Sequence, residues 1–188
     1  MALISILSRF CALLLLVLLL PVLLVLGLLC AISQGTPVMF RQFRAGKGTK
    51  PFRLLKFRSM RDDRDENGQL LADELRVTAI GTFLRRSRLD ELPGLVNVVR
   101  GDMAFVGPRP LLPVTIEELG ERGRARCAVK PGLTGWSQVN GNTLLTLDQK
   151  IALDLWYIEH RSWLLDAKIL LLTFLVVVAG EKVRPGAA

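Results

Sequence analysis

The fold turns on residues 10–32, FCALLLLVLLLPVLLVLGLLCAI, a run of 23 residues without a charge. At about 1.5 Å per residue such a helix spans a hydrocarbon core of about 30 Å. A cleaved signal peptide fits poorly, because the run is too long and no A-x-A-like site follows it. A lipoprotein signal also fails, since bulky Leu29 precedes Cys30. A membrane helix is the default reading, and Pro21 near its centre complicates it. Proline removes one helical hydrogen bond and clashes with the preceding turn. Two topologies follow from the residues alone. One is a spanning helix with a mild kink. The other is a re-entrant helix-break-helix, each half about 11 residues or roughly 16 Å long.

Outward from this run, the charge pattern suggests a side. Between Ser33 and Arg61 there is no acidic residue, but Arg41, Arg44, Lys47, Lys50, Arg53, Lys56, Arg58 and Arg61 all fall there. Basic flanks favour the cytoplasmic face, so the body of the chain is expected there. The whole chain of 188 residues carries a net charge of +8 and is 51% hydrophobic. A chain both apolar and basic suits an anionic membrane surface, or an anionic substrate beside one. Nucleic acid is not expected as a partner: aromatics are 6% with a single Tyr, little material for base stacking. Cys11, Cys30 and Cys127 are odd in number and widely spaced, which disfavours a disulfide framework or zinc site. His160, the one histidine, reads as an interfacial or solvated side chain between Glu159 and Arg161.

The remaining chain predicts a mostly helical α+β fold. Pro37–Lys56 alternates around Gly46 and Gly48 and reads as a small β-hairpin. DDRDENG at 62–68 reads as a solvated loop, since its spacing does not match an EF-hand. Helices are expected over Ala79–Arg88, from near Pro93, over Thr115–Val129 and over Leu147–His160. Ile169–Ala179 is apolar but too short to span, and with Trp156, Tyr157 and Trp163 suggests an interfacial helix.

Three stretches carry candidate chemistry. In RRSRLDELP, residues 85–93, Asp90 and Glu91 stand before a helix expected to start near Pro93, after three arginines. Carboxylates, magnesium and cations together suit phosphoryl transfer, where charge builds on phosphate oxygens. The plain alternative is an ordinary surface helix start. In GDMAFVGPRP, residues 101–110, Pro108 and Pro110 hold Arg109 on a stiff turn, a good diphosphate clamp or an ordinary loop. KPGLTGWSQVNG, residues 130–141, offers the amides of Gln138 and Asn140, but taken alone reads as a surface loop.

Taken together, PFRLLKFRSM (51–60), LDELP (89–93), GDMAFVGPRPLL (101–112), KPGLTGWSQVNG (130–141) and LDLWY (153–157) resemble the bacterial sugar transferase family, the monotopic phosphoglycosyl transferases. The resemblance covers roughly Arg9 to Val178, and five strings in the right order make it specific. It implies transfer of a phosphosugar from a UDP-sugar to undecaprenyl (polyprenyl) phosphate, with release of UMP. It implies Asp90 as the nucleophile of a phosphosugar-enzyme intermediate, with Glu91 and Mg2+ assisting, so that Asp90 and Glu91 are also the expected metal ligands. Lys56, Arg58, Arg85 and Arg109 match positions expected near phosphates or the nucleotide, and Asp154 matches a recurrent acidic position. The apolar run matches a re-entrant helix, which favours that topology.

The expected layout is a membrane segment at 1–36 and a catalytic region at 37–188, on the cytoplasmic face of a bacterial inner membrane. This is close to the family's minimal catalytic form. The chain departs from the family pattern at Cys11, where an Asp is common, and at Leu20, where a Ser usually precedes the proline. It departs again at Gly94, where a Gln is usual, and at Asn142, where an Arg is usual. Two further readings are a non-catalytic basic membrane adaptor and a metal-dependent phosphohydrolase of lipid diphosphates.

Overall fold

The computed structural model describes residues 2–183; residues 184–188 of the expected catalytic region lie outside them. The apolar run folds as two helices, α1 (Ala2–Leu18) and α2 (Leu20–Gln34), bent by 64°. The break falls at Leu19, and Pro21 stands in the first turn of α2, where its missing N–H is least costly. The ladder survives on either side, with Leu19 N donating to Leu15 O and Leu23 N to Leu19 O, both at 2.8 Å. Pro21 has no N–H to give Val17, which is where the helix turns. Among the described residues no single helix is long and apolar enough to cross a membrane.

The hairpin forms as expected. Strands β1 (Met39–Ala45) and β2 (Pro51–Phe57) pair antiparallel, Met39 opposite Phe57 and Ala45 opposite Pro51. A short helix α3 (Asp73–Arg76) then leads to α4 (Ala79–Arg86), capped by the Thr78 hydroxyl, which accepts from Gly81 N at 3.0 Å. A 3-10 turn, Leu89–Gly94, runs into α5 (Leu95–Arg100). Helical structure therefore begins before Pro93, and Asp90 and Glu91 lie in the first turn of the 3-10 segment.

Beyond α5, β3 (Ala104–Val106) pairs parallel with β4 (Gly132–Thr134). The expected helix Thr115–Val129 is split into α6 (Pro113–Glu118) and α7 (Gly120–Arg126), because Gly120 takes φ 56°. Helix α8 (Trp136–Val139) follows β4. Helix α9 (Leu147–His160) has the expected bounds, with a Thr146–Gln149 capping box. Helix α10 (Trp163–Ala179) starts six residues before the apolar run, because Ser162 caps it by accepting from Leu165 N at 3.2 Å.

The stretch 130–141 is not a surface loop. Ser137, Gln138, Val139 and Asn140 are all buried. Two backbones meet there so closely that a Cβ on Gly132 would lie 2.1 Å from Gly107 N. Alternating polar and glycine residues gave the segment a solvated look, yet this close approach requires glycine.

The core is distributed. Ala12 of α1 packs with Phe52, Leu54, Leu95, Val98 and Met103. Leu26 and Cys30 of α2 pack with Phe57 and Leu84. Ile169 and Val176 of α10 join Val106, Trp136, Val139, Leu153 and Tyr157. Fully buried Asn97 on α5 acts as a strand surrogate on β2, giving its Nδ2 to Arg53 O at 2.7 Å and taking Leu55 N at 3.0 Å. This fixes the hairpin against the Asp90–Glu91 turn. Outward, Phe10, Leu14 and Leu18 of α1, Leu24, Leu28 and Ile32 of α2, and Leu171, Phe174 and Val178 of α10 are exposed. Exposed apolar side chains in such number on each of these helices mark them as interaction faces.

Gly81 sets how closely α4 lies on the chain leaving β2: a Cβ there would sit 1.9 Å from the Ser59 carbonyl oxygen. Backbone cannot yield as a flexible side-chain tip does. Gly81→Ala is therefore expected to destabilise by about 1–3 kcal/mol despite alanine's better helix propensity. Denaturant titration checks this; an unchanged midpoint would mean that α4 is not held there.

Candidate active site

The hairpin, the loop after it, α4 and the 3-10 turn enclose a cavity of about 690 Å3. Asp90 and Glu91 lie in its wall together with Lys56, Arg58, Arg85, Arg88, Arg109 and Arg44. Adjacent carboxylates converge on one cavity because they open a 3-10 turn whose N-cap, Arg88, is left-handed at φ 56°.

Glu91 is the anchored member of the pair. Its Oε1 accepts from Lys56 Nζ at 2.6 Å and from Arg109 Nη2 at 2.8 Å. Burial opposes ionisation of Glu91, but Arg109 and Lys56 outweigh it and bring its pKa down to about 2. Asp90 is the loosely held member: it is buried, and among the described residues its one ion-pair contact is Lys56 Nζ at 4.0 Å. Burial raises the Asp90 pKa; Lys56 opposes the rise and Glu91 adds to it. Two neighbouring carboxylates thus have opposite environments, one fixed as a counterion and one loosely held, a division expected where they have different tasks.

The cations divide in the same way. Arg58 donates to the Gln34 carbonyl and, at 2.8 Å, to Asp62, tying the end of α2 to the hairpin. Arg85 gives its Nε to Ser59 Oγ at 2.9 Å and is in no ion pair among the described residues. Arg44 is also without a carboxylate partner there; it contacts Gln42 Oε1 at 2.5 Å and Pro110 O at 3.5 Å. Burial and then Arg109 depress its pKa. Two guanidinium groups repelling each other in a half-buried wall make a site for an anion. In the sequence Arg44 is one of 25 lysines and arginines, and Arg88 one of the three arginines ahead of Asp90; only pairing in space separates them from the others.

The remaining expected site residues lie elsewhere. Pro108 is fully buried, and its carbonyl accepts from Gly132 N at 3.0 Å. Pro110 lines a small recess beside Arg109 and Gly94. Gln138 donates to Leu133 O at 3.3 Å and Asn140 to Trp136 O at 2.8 Å; both are in the core and do not line the cavity. Asp154 is 1% exposed and also outside it. Its oxygens accept from Arg126 Nε and Ser137 Oγ, each at 2.7 Å. Arg126 in turn donates to the carbonyl of Arg109. These three residues are a buried support, and Asp154 reaches the cavity only through the backbone of Arg109. His160 stacks on the Trp156 ring, its Nδ1 2.9 Å from Trp156 O, away from the cavity.

No group of three His, Cys, Asp or Glu capable of enclosing a metal occurs among the described residues. Magnesium, however, is commonly held by one or two carboxylates plus substrate phosphates and water. Asp90, beside cations that suit a diphosphate, fits that kind of site. The wall thus brings a carboxylate pair together with several arginines, the combination of charges that suits phosphate groups.

Comparison with known proteins gives the chain its family. The bacterial sugar transferase family model matches residues 2–180, and the chain belongs to that family. It is 47% identical over 150 residues to the uncharacterized sugar transferase EpsL of Bacillus subtilis, covering 80% of this chain and 74% of that one. It is 42% identical over 172 residues to the UDP-glucose:undecaprenyl-phosphate glucose-1-phosphate transferase of Escherichia coli, covering 86% of this chain and 37% of the relative. It is 36% identical over 172 residues to the UDP-N-acetylgalactosamine-undecaprenyl-phosphate N-acetylgalactosaminephosphotransferase of Aeromonas hydrophila, covering 87% and 41%. The chain thus spans roughly two fifths of the length of the latter two.

Proposed function

We propose that this protein moves a sugar 1-phosphate from a UDP-sugar to polyprenyl phosphate and releases UMP. The observation that carries this reading is the unequal carboxylate pair: a loosely held Asp90 beside a Glu91 locked by Lys56 and Arg109. An Asp90 oxygen attacks the β-phosphorus, and the bond from that phosphorus to the bridging oxygen breaks. UMP leaves with the bridging oxygen and its electron pair. An oxygen of the lipid phosphate then attacks the same phosphorus, displaces Asp90 and yields the lipid diphosphosugar. Two displacements through a covalent intermediate give ping-pong kinetics.

Within this reading Arg109, Arg44 and Arg85 bind phosphate oxygens, and Glu91 keeps Lys56 and Arg109 in place. Asp90 and Glu91 are the carboxylates that would hold magnesium, which neutralises phosphate charge when bound. The exposed apolar faces of α1, α2 and α10 support residence at a membrane, where one substrate is soluble and the other lipid. The 64° bend at Leu19 supports a segment that dips into one leaflet, and the basic flank at 41–61 supports the cytoplasmic face.

The test is UMP release from a panel of UDP-sugars with polyprenyl phosphate and magnesium. Acceptor-dependent release with at least one donor is expected; release with none overturns the reading. Arg44→Gln is expected to raise KM for the UDP-sugar about tenfold, the loss of one charge-assisted hydrogen bond. Initial-rate kinetics check it, and an unchanged KM removes Arg44 from the phosphate site.

A further inference from the structure

The chain beyond α10 turns at Gly180, φ 84°, and brings Glu181 into the wall of the reaction cavity. There its carboxylate is saturated. Oε1 accepts from Arg88 Nη2 and from Asn142 Nδ2, both at 2.6 Å. Oε2 accepts from Thr143 N at 3.1 Å and from the Thr143 hydroxyl. Four donors occupy the four acceptor positions of a carboxylate, so the group has one orientation. Of its partners, Arg88 and Asn142 are left-handed at φ 56° and 43°, conformations that are costly for a non-glycine residue and persist only where held.

Arg88 is also the N-cap of the 3-10 turn that carries Asp90 and Glu91. Its left-handed backbone sets the direction in which that turn starts, and therefore where the Asp90 carboxylate points. The side chain holding that backbone arrives from 93 residues away, on the segment after an apolar helix.

We propose that Glu181 is a positioning residue for the reaction: it holds Arg88, and through it the left-handed start of the Asp90–Glu91 turn, in the geometry that attack on phosphorus requires. This rests on the transferase reading above. Asn142 and Thr143 then serve Glu181 rather than the substrate, which gives a local role to the position where this chain carries Asn in place of the family's usual Arg. The site is complete only when α10 has seated the segment that follows it.

The experiment is a double-mutant cycle on the full chain, reading kcat and KM for UMP release. Glu181→Gln and Arg88→Met are each expected to lower kcat about 10- to 100-fold, as misplacement of a reacting group by about 1 Å does. KM for the UDP-sugar is expected to change less than about threefold, because the phosphate-binding arginines are untouched. The double variant is expected to fall no further than the worse single one, since the two act as one unit. Glu181→Asp, one methylene shorter, loses kcat in the same way and is the second variant should Glu181→Gln fold poorly. Multiplicative losses, a loss carried wholly by KM, or an unchanged kcat in a folded Glu181 variant would overturn the proposal. Wild-type UMP release in the same assay separates the two claims. Its absence overturns the transferase reading, whereas normal release from both wild type and variants overturns only the role of Glu181.

Discussion

Asp90→Asn is expected to lose UMP release by about 10,000-fold or more while the protein keeps its fold, the scale seen when a covalent nucleophile is removed. The two side chains have nearly the same shape, so the turn and cavity stay intact. What disappears is the carboxylate oxygen, and an amide oxygen is too weak a nucleophile to replace it. Stability should hold or rise. The folded protein keeps Asp90 buried beside Glu91, an arrangement that raises its pKa and disfavours its charge. Glu91→Gln should cost less in rate, because in this reading Glu91 holds Lys56 and Arg109, and magnesium when bound, rather than attacking phosphorus. Single-turnover assays and thermal melts on both variants check the pair. Equal losses for the two would put them in one shared role.

Asp154→Ala is expected to be the most destabilising single change, by about 3–5 kcal/mol. Asp154 and Arg126 are 1% and 4% exposed, and they face each other at 2.7 Å. Removing the carboxylate leaves a buried guanidinium with no counterion and strands the hydroxyl of Ser137. Breaking a buried pair costs far more than the pair contributes beyond a well-packed apolar substitute. Because Arg126 also holds the carbonyl of Arg109, the damage reaches the cavity, and activity should fall before the protein melts. Denaturant titration measures the first effect and KM for the UDP-sugar the second. A loss below about 1 kcal/mol would place the pair in an environment far wetter than its burial implies.

Much of this was legible in the residues. Alternation around Gly46 and Gly48 located the hairpin, and the apolar stripe of 147–160 gave the bounds of α9, whose start the Thr146–Gln149 capping box explains. Pro21 marked the break in the apolar run to within two residues, since proline acts on the turn before it. The size of the bend, 64°, was not legible: proline marks where the helix turns, while the angle goes with α1 packing on α5 and α2 on α4, contacts far apart in sequence. Lys130–Gly141 misled because glycine and amide residues suit both a solvated loop and a tight backbone crossing. Only the partner segment at Gly107 decides between them. Asp154 showed its importance through resemblance but not its role, for burial of an ion pair is invisible until Arg126 is seen beside it. Glu181 gave no signal, being a single carboxylate past an apolar helix, with partners 38 to 93 residues away.

In the proposed reaction Asp90 becomes covalently joined to the transferred phosphorus. The direct measurement is intact-protein and peptide mass spectrometry after incubation with the UDP-sugar donor in the absence of lipid acceptor. A burst of UMP approaching one per enzyme is expected, with a matching phosphosugar adduct on the peptide that contains Asp90. Adding polyprenyl phosphate is expected to discharge the adduct. UMP formation only when the acceptor is present, with no adduct at any time, would contradict the covalent step and point to direct transfer between the two substrates.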